Sequence, residues 1–400
     1  METLNFLMTT SFYPPFHVGG DAVFVKYLAE ELVKQGHEVH VMVSIDAYLL
    51  KKRRRLKEYT KDSGVIVHNL KSPCGIISPL SAYVLGSSHW YGERFSELLR
   101  KLKPEVVHHH NISLLGHPFL RKRGTYISIH TTHDFWLICP SYDLTKKNGR
   151  ICARKGCFLC TLSRRRLPKF WRYSKSFKNE VYDPNIIISP SEFFKRILEE
   201  AIQRRIIHIP NFVPYPPESG PCADLSGFFL YAGRIDRGQG IPTLLNIFGN
   251  AEVDSKLVLV GTGNLSGYLT EFVKREGLQD KIVYLGWVRD EELHRLYKCA
   301  LATINPSELP ANFPLVALES LSNGTPVIAP NMGGLPEIVE KVDGNLIYSS
   351  VSELKQILLE FERSKYPSEK IKSVYEKYYS PQAHLKSYFR AIKTYNATPY

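Results

Sequence analysis

Apolar and polar positions along this chain alternate between a two-residue rhythm, typical of strands, and a three-to-four-residue rhythm, typical of amphipathic helices. The chain opens on an apolar run, a loop rich in proline and glycine, and a helical pattern over 22–35 that stops at Gly36. Strands separated by helices predict an α/β fold around a parallel sheet. The predicted strands of this part are Leu4–Met8, Glu38–Val43, Val65–Val67, Val106–His108, Tyr126–Ile129, Ile186–Ile188 and Ile206–Ile209.

Prolines interrupt the pattern between Ile209 and Pro217, a stretch that can form neither a helix nor a central strand. A chain of 400 residues also exceeds what one hydrophobic core supports. We therefore predict two Rossmann-like, doubly wound domains facing a central cleft, 1–208 and 222–379, joined by a linker, 209–221, and followed by a helix, 380–400, that packs back on the first domain. The second domain has predicted strands at 228–232, 256–260, 281–285, 300–304 and 325–329, and helices near 241–249, 266–276, 290–298, 315–322 and 351–361.

Positive charge is concentrated in the first half of the sequence. The chain has 52 Lys and Arg against 39 Asp and Glu, a net charge of +13. Residues 1–200 hold 31 basic and 18 acidic side chains, whereas residues 201–400 hold 21 of each. Apolar residues at 44% and charged residues at 23% are ordinary for globular proteins, which excludes disordered, collagen-like and coiled-coil chains. We expect the two halves to meet different partners.

The sequence predicts a cytoplasmic protein. No apolar run approaches the ~18 residues that a membrane-spanning helix requires, and the N-terminus lacks the basic flank of a signal peptide. Seven cysteines is an odd count, unlike a secreted disulfide scaffold, and Cys74, Cys222 and Cys299 are isolated and interpreted as packing residues. Four others in the loop 139–160 have a spacing that fits a structural zinc, with free buried thiols or a redox pair as alternatives: Cys139, Cys152, Cys157 and Cys160.

Glycine-rich turns after predicted strands of the second half are candidate anion sites. The turn from Gly233 to Gly240 opens a helix, so backbone N–H groups, the helix dipole and the Arg234 guanidinium can meet a phosphate there. The turn Gly261-Thr262-Gly263 ends the next strand. The loop 306–314 runs into a helix whose Glu319 can bind ribose hydroxyls. Each turn taken alone is also explained by backbone geometry or helix capping.

In their order and register, these motifs resemble those of the family 4 (group 1) retaining glycosyltransferases of the GT-B fold, nearly from end to end. The matching motifs of the first half are Tyr13-Pro14-Pro15, Val18-Gly19-Gly20, Gly36-His37-Glu38-Val39, His108–Asn111, His133-Asp134-Phe135-Trp136 and Ser189-Pro190-Ser191. From the crossover onwards they are Ile209-Pro210-Asn211, Ala232-Gly233-Arg234, Gly261-Thr262-Gly263, Leu285–Val288, Phe313–Glu319, Gly324–Ala329 and Gly333–Glu337.

The resemblance implies transfer of a hexosyl group from a nucleotide diphosphate sugar, held by the second domain, to an acceptor held by the first. By resemblance, Arg234 neutralises the diphosphate, Glu319 binds the ribose, and His133 contacts the sugar near the reacting carbon. The other implied donor-binding residues are Gly19, Gly20, Gly233, Gln239, Gly261, Gly263, Trp287, Val288, Asn312, Phe313, Pro314 and Leu315. The implied mechanism is front-face displacement, in which a phosphate oxygen takes the proton. No Asp-x-Asp motif is present, so we expect catalysis to require no cofactor.

Two positions depart from the family pattern. The family usually has a lysine where Gln239 stands, and a glutamate where Ala311 stands, eight residues before Glu319. Losing one charge-assisted contact costs ~1.5–3 kcal/mol. Arg237 and Glu308 lie close enough in the sequence to compensate. We favour an active enzyme, with a nucleotide-sugar-binding protein that transfers nothing as the alternative.

Three basic runs carry the excess charge: 51–55, 121–123 and 164–178. The last has seven cations and no acid, interleaved with aromatic residues, which is typical of an interface helix on an anionic membrane. A nucleic-acid-binding module is a further alternative, and a solvated helix is the default for any single run. We expect a lipid-linked, glycan or other anionic acceptor, met peripherally at the inner face of the membrane. The candidate acceptor or membrane residues are His110, Arg164, Arg165, Arg166, Lys169 and Arg172.

The run His108-His109-His110 resembles a set of metal ligands. Adjacent side chains on a strand point to opposite faces, so at most alternate members can share a site. We therefore expect no metal there, and His110 is the functional candidate of the three.

Overall fold

The computed structural model describes residues 3–52, 56–146, 152, 157–222, 227–250 and 253–397. The chain divides into two units, one formed by residues 1–209 with 385–400 and the other by residues 210–384. Each unit is an α/β layer structure built on its own sheet. Among the described residues, no helix combines the length and the apolar content needed to cross a bilayer.

The sheet of the first unit is parallel except at one edge. Its strands are β1 (Asn5–Thr10), β2 (Glu38–Ser44), β3 (Lys61–Asp62), β4 (Val65–Leu70), β5 (Val106–His109), β6 (Ile127–Thr131), β7 (Ile186–Ser189) and β8 (Ile207–His208). They lie in the order β3-β4-β2-β1-β5-β6-β7-β8, and only the β3–β4 pairing is antiparallel. The central strands are buried on both faces, which explains their nearly continuous apolar runs.

Helices cover both faces of this sheet. In the first of them, the apolar residues Val25, Leu28 and Leu32 are completely buried, as their spacing predicts. It begins after Gly19, whose φ of +94° favours glycine. The helices of the first unit are α1 (Gly20–Lys34), α2 (Ile45–Lys52), α3 (Ile77–Leu85), α4 (His89–Leu102), α5 (Cys157–Ser163), α6 (Lys175–Glu180) and α7 (Glu192–Ile202).

The second unit has a fully parallel sheet. Its strands are β9 (Phe228–Ala232), β10 (Lys256–Val260), β11 (Ile282–Gly286), β12 (Thr303–Ile304), β13 (Val327–Pro330) and β14 (Ile347–Tyr348). They lie in the order β11-β10-β9-β12-β13-β14. The helices are α8 (Ile241–Asn250), α9 (Ser266–Arg275), α10 (Asp290–Cys299), α11 (Leu315–Ser322), α12 (Leu335–Val339), α13 (Val351–Leu359) and α14 (Ser368–Tyr379).

The last helix, α15 (Pro381–Ala397), begins in the second unit and ends in the first. In the first unit its Tyr388 is fully buried, and the hydroxyl lies 2.9 Å from Nδ1 of His108. The amide of Asn185 donates to the hydroxyl of Tyr395 at 2.6 Å. These polar contacts, together with the ring of Phe6 beside Tyr388, attach the C-terminal helix to the sheet of the first unit.

Most predicted strands and helices are confirmed, with differences at their ends. The strand predicted over 300–304 is shorter, since β12 spans only Thr303–Ile304, although Leu301 and Ala302 also make backbone hydrogen bonds to β9. The helices α12 and α14 have no counterpart among the predicted elements. The first spans five residues, too few for a clear periodicity, and the second buries only three side chains, Ile371, Tyr375 and Tyr379.

The interpretation of Cys222 and Cys299 as isolated packing residues is wrong, because the two form a disulfide with a Cα–Cα distance of 5.4 Å. One cysteine lies just before the second sheet begins, and the other ends α10. They are 77 residues apart in the sequence, so nothing local indicates the pairing.

We expect the double variant Cys222→Ser/Cys299→Ser to lose ~4 kcal/mol of unfolding free energy, because the bond closes a long loop in the unfolded chain. Urea unfolding of the full chain measures the loss. The variant Cys74→Ser, which removes an exposed free thiol, is the control and should unfold like the parent protein. Equal stability of all three proteins would show that the disulfide does not form in solution.

Candidate functional site

Polar side chains of the first unit meet at the carboxyl ends of β1, β5 and β6. Asn111 follows β5, and its amide donates to the carboxylate of Asp21 in the first turn of α1 at 2.8 Å. The backbone N–H of Ser11, after β1, donates to the carbonyl of Asn111. Because all three strands are parallel, their ends and the N-terminus of α1 fall on the same edge. The predicted donor-binding residues Gly19 and Gly20 begin this helix.

Two histidines lie on this edge, His110 buried and His133 partly buried. Nδ1 of His110 is 3.0 Å from Nε2 of His133, and the Phe24 ring packs against both imidazoles. Burial lowers the pKa of His133 to about 3 and that of His110 well below its usual value. Both rings are therefore neutral near pH 7, and one ring donates to the other. The prediction that alternate histidines of β5 share a face is confirmed, since the rings of His108 and His110 are 4.0 Å apart.

Two partly buried carboxylates accompany these histidines. Burial, and to a smaller extent the nearby charge of Asp21, raise the pKa of Asp134 to about 7. Oδ1 of Asp134 accepts from the backbone N–H of Trp136 at 2.8 Å. A small recess of about 10 Å³ lies here, lined by His110, Asn111, His130, His133, Asp134 and Trp136. A carboxyl group that titrates near neutral pH beside a recess can exchange a proton with a bound hydroxyl.

Sequence reasoning assigned no role to Asp21 or Asp134. The available signal was their position, because each directly follows a motif residue, Gly20 and His133 respectively. The sequence did not show that folding removes both carboxyl groups from water, which raises the pKa of each.

In the second unit, backbone contacts join the ends of three neighbouring strands. The N–H of Gly233 donates to the carbonyl of Val260, and the N–H of Gly261 donates to that of Gly286. A Cβ on Gly261 would lie 1.8 Å from the carbonyl oxygen of Gly233, and its φ is +124°. Only glycine fits there, so the backbone stays uncovered by side chains along this edge. A Cβ on Gly263 would likewise meet the carbonyl of Ile235 at 2.4 Å.

The predicted phosphate and ribose ligands lie on the elements that flank this edge. The Arg234 side chain is 68% exposed and lies 3.4 Å from Asp236, a pairing that leaves it largely in solvent. Glu319, in α11, accepts a hydrogen bond from the hydroxyl of Tyr297 at 2.9 Å, which orients the carboxylate. Burial raises the pKa of Glu319, and the hydrogen bond from Tyr297 opposes the rise. Sequence reasoning missed Tyr297, which comes from a different helix, α10.

The remaining predicted donor residues differ in exposure. Trp287 and Gly263 are exposed, and Gln239, Val288 and Asn312 are partly buried. Phe313 and Leu315 are buried, and Pro314 caps the N-terminus of α11. The prediction for these residues rests on the motifs.

The two departures from the family pattern lie on loops that contact each other. The backbone N–H of Glu308 donates to the carbonyl of Gly238, next to Gln239, at 3.1 Å. The exposed carboxylate of Glu308 accepts from the hydroxyl of Thr243 at 3.0 Å. The carbonyl of Ala311 accepts from the N–H of Gly334 at 2.8 Å. A carboxylate is therefore present beside the glycine-rich turn, although not at the position of Ala311.

The four clustered cysteines come from three segments. Cys139 is buried, Cys152 is partly buried, and Cys157 and Cys160 lie in α5, where one turn separates them. The pKa of Cys157 is raised by burial first and then by its proximity to the other three thiols. Within the described ranges, no group of three or more His, Cys, Asp or Glu side chains is arranged to hold a metal ion. The structural zinc stays a prediction.

The basic candidates of the first unit divide into buried and exposed groups. Lys169 is buried between the rings of Tyr83 and Tyr142, and Arg172 is buried and donates to the carbonyl of Trp136. Neither can lie against a membrane, although both remain near Asp134. Arg164 is paired with Asp143 at 2.5 Å, whereas Arg165 and Arg166 are exposed. Of the run 51–55, residues 53–55 lie outside the described residues.

Two family models match the chain. The model Glycosyltransferase Family 4 matches residues 18–215, and the model Glycosyl transferases group 1 matches residues 223–377. This chain is a family 4 glycosyltransferase. Among its relatives, an uncharacterized glycosyltransferase of Methanocaldococcus jannaschii is 29% identical over 362 residues, which is 86% of this chain and 85% of that protein. The lipopolysaccharide 1,2-N-acetylglucosaminetransferase of Salmonella typhimurium is 29% identical over 51% of this enzyme and 61% of its own length.

Solved structures confirm the predicted GT-B fold of this enzyme. Sucrose-phosphate synthase of Thermosynechococcus elongatus superposes with a TM-score of 0.72 and 18% identity, covering 98% of this chain and 100% of that structure. An Anabaena protein, HepE, solved in complex with UDP-glucose, superposes with a TM-score of 0.64 and 13% identity over 99% of this chain and 100% of its own.

The buried histidines predict how stability depends on pH. His109 hydrogen-bonds to Thr9 at 2.8 Å, and burial lowers its pKa to about 3, whereas an unfolded histidine titrates near ~6.5. Below that pH the unfolded chain binds more protons, so stability is lost on acidification, by up to ~1.4 kcal/mol per pH unit for each such histidine. We expect His109→Asn to reduce the slope of unfolding free energy between pH 6 and pH 4, measured in urea. His89→Asn, at a highly exposed position, should leave it unchanged, and equal slopes for both variants would contradict the argument.

For the cysteines, we expect one zinc per chain in protein purified without chelators, measured by elemental mass spectrometry. The variant Cys157→Ser/Cys160→Ser should lose the metal because two of four thiolate ligands are removed. The exposed Cys74 provides the control, Cys74→Ser, which should retain it. A folded sample of the parent protein without metal would contradict the prediction.

Proposed function

We propose that this glycosyltransferase transfers a hexosyl group from a nucleotide diphosphate sugar to a lipid-linked, glycan or other anionic acceptor, with retention of configuration. The observation that carries the proposal is the glycine-lined strand edge of the second unit, flanked by an exposed guanidinium at Arg234 and an oriented carboxylate at Glu319. Anion and hydroxyl ligands together are what a nucleoside diphosphate requires.

The donor side is argued from the chemistry of this edge. Gly261 and Gly233 leave the backbone open to close approach by a phosphate, and Arg234 supplies a cation with little competition from Asp236. The N-terminus of α11 adds a favourable dipole for a diphosphate. Glu319, held by Tyr297, would accept from the ribose hydroxyls. The Anabaena protein solved with UDP-glucose supports a nucleotide sugar as the donor class.

The proposed step is a front-face displacement at the anomeric carbon of the sugar. The acceptor hydroxyl forms the new C–O bond on the face from which the diphosphate departs, and a phosphate oxygen of the leaving group takes the hydroxyl proton. Charge on the departing diphosphate is stabilised by Arg234 and by backbone N–H groups, an effect worth ~3–4 kcal/mol for one well-aimed donor. His133, neutral through burial, would hydrogen-bond to the sugar without adding charge.

The acceptor is assigned to the first unit. This unit has 36 basic and 18 acidic side chains, whereas the second unit has 16 and 21, and this excess of positive charge favours an anionic acceptor at the inner face of a membrane. Relatives support the same class of acceptor, because they include the lipopolysaccharide enzyme of Salmonella and the O-antigen chain mannosyltransferase B of Escherichia coli, 34% identical over 28% of this chain and 31% of its own. Asp134, beside the recess, would orient the attacking hydroxyl.

The test is turnover with a panel of UDP-, GDP- and ADP-sugars, followed as donor hydrolysis and as transfer to glycolipid acceptors. We expect Arg234→Ala to lower kcat/KM by about 10²- to 10³-fold, because a stabilising group for the leaving diphosphate is lost. Glu319→Gln should mainly raise KM for the donor. Arg275→Ala, which removes an exposed arginine at the end of α9, is the matched control and should retain activity.

The configuration of the product is read by NMR coupling constants, and the same anomer as in the donor is expected. Donor binding without hydrolysis or transfer would contradict the proposal, in favour of a binding protein. An inverted product would contradict the front-face mechanism alone.

A further inference from the structure

Helix α3 exposes large apolar side chains and buries small ones, which is the reverse of an ordinary surface helix. Its buried positions hold Ser78, Pro79 and Ala82, whereas Ile77 is 64% exposed and Leu85 is 68% exposed. Leu80, one turn from Ile77, is also exposed. A surface helix in a soluble protein normally buries its large apolar side chains and exposes the small and polar ones. The large apolar face of α3 therefore lacks a partner within the described part of the first unit.

Helix α5 and the turn after it repeat this arrangement. In α5 the polar Thr161 is buried, while Leu159 is 70% exposed and Phe158 and Leu162 are exposed as well. In the 3-10 turn Phe170–Tyr173, Trp171 and Arg172 are buried, and Phe170 is 68% exposed. Three short elements, α3 from one part of the sequence and α5 with the following turn from another, thus expose residues that folding normally removes from water.

These elements contact one another and together carry a set of exposed apolar side chains. The indole N–H of Trp171 donates to the carbonyl of Tyr83 in α3 at 3.3 Å, which joins α3 to the turn. The ring of Phe170 lies 6.0 Å from that of Phe158, which joins the turn to α5. We name this the apolar surface, defined by Ile76, Ile77, Leu80, Leu85, Phe158, Leu159, Leu162, Leu167, Phe170 and Tyr173. Contiguous exposed apolar patches on this scale mark interaction sites in soluble proteins.

The two sequence segments that carry the apolar surface contain no acidic residue. Residues 72–92 and 144–179 contain no Asp or Glu, and the second segment contains twelve Lys and Arg. Of the cations in residues 164–178, Arg165, Arg166, Lys175 and Lys178 are exposed. Aliphatic side chains bordered by cations, with acids excluded, complement a surface that is apolar below and anionic above.

We propose that the apolar surface docks on an anionic phospholipid bilayer, with its leucine, isoleucine and phenylalanine side chains inserted at the level of the acyl boundary and the four cations at the headgroups. Apolar burial and electrostatic attraction act together at such an interface, each cation near the surface adding ~1 kcal/mol. Nucleic acid is disfavoured as the occupant, because seven of the ten residues of the apolar surface are Ile or Leu, which cannot stack on bases as its three aromatic residues can. A protein partner would need an acidic rim around an apolar centre to match this surface. A bilayer of anionic lipid combines acidic headgroups with an apolar interior by its composition alone.

The proposal goes beyond the transfer reaction, because it concerns where the enzyme resides, and it holds whether or not the acceptor is a lipid. The surface is made by α3, α5 and the turn Phe170–Tyr173, none of which carries a proposed donor ligand. Loss of docking and loss of catalysis can therefore be separated by mutation.

The test is co-sedimentation of the full-length chain with vesicles of phosphatidylcholine that contain about 30% phosphatidylglycerol, compared with vesicles of phosphatidylcholine alone. This share of anionic lipid gives the vesicles a strongly negative surface. We expect at least ~10-fold stronger partitioning onto the anionic vesicles, weakened by salt. The variant Ile77→Glu/Leu80→Glu/Leu159→Glu should reduce partitioning at least ~10-fold, because it replaces inserted side chains by charges that the leaflet repels. Lys175→Gln/Lys178→Gln should weaken it at least ~10-fold, mainly at low salt.

Matched controls come from exposed positions of the second unit. Val351→Glu/Leu359→Glu replaces apolar side chains of similar exposure in α13, and Lys365→Gln/Lys372→Gln removes two exposed lysines. Both should partition like the parent, and thermal unfolding should show that every variant folds. Donor hydrolysis measured without vesicles should be unchanged in the variant Ile77→Glu/Leu80→Glu/Leu159→Glu. If neither the parent protein nor any variant hydrolyses a donor, the proposed function is contradicted, whereas the docking proposal is not affected.

Four results would overturn the docking proposal. Two are that the parent protein does not partition onto anionic vesicles, or that the glutamate variant partitions as strongly as the parent. A third is that single-stranded RNA competes the protein off the vesicles at equal charge concentration. A monomer–dimer equilibrium in sedimentation velocity that the glutamate variant abolishes would assign the apolar surface to self-association instead.

Discussion

Parallel strand pairing is the constraint on which the functional geometry depends. Because the strands of each central sheet run in one direction, their carboxyl ends collect on a single edge, and the helices that follow begin there. In the second unit the contact between Gly233 and Gly261 keeps this edge free of side chains. In the first unit the same edge gathers Asn111, His133 and Asp21, which are far apart in the sequence. The site is thus a consequence of sheet topology, filled in by particular residues.

Burial then decides the charge state of the groups that the sheet collects. The imidazoles of His110 and His133 are neutral because solvent is excluded from them, and Asp134 titrates near neutral pH for the same reason. The first unit has a strongly positive sequence, yet its recess contains neutral or acidic groups. Its positive charge is instead carried at the surface and in structural contacts such as those of Lys169 and Arg164. Net charge therefore describes the outside of this unit and says little about its site.

The apolar surface and the recess show two uses of the same segment. The stretch from Pro140 to Phe177 supplies the exposed Phe158 and Leu159, and it also supplies Lys169, which donates to the carbonyl of Pro140 at 2.9 Å. Arg172 continues the buried side by donating to the carbonyl of Trp136, which lines the recess. A segment that contacts the recess on one side and presents apolar residues on the other can bring an acceptor at a bilayer close to the site.

The sequence by itself determined the fold class, most strands, the family and the motif residues, because hydrophobic periodicity and glycine turns are local properties of the chain. Only the tertiary structure decided the bond between Cys222 and Cys299, the support of Glu319 by Tyr297, and the burial of Lys169 and Arg172 within a basic run. It also showed that α3 exposes its apolar face, which periodicity alone would have assigned to the core. Periodicity reveals that a segment has an apolar side, but the remainder of the fold decides which side meets water, which partner lies opposite, and which groups keep their charge.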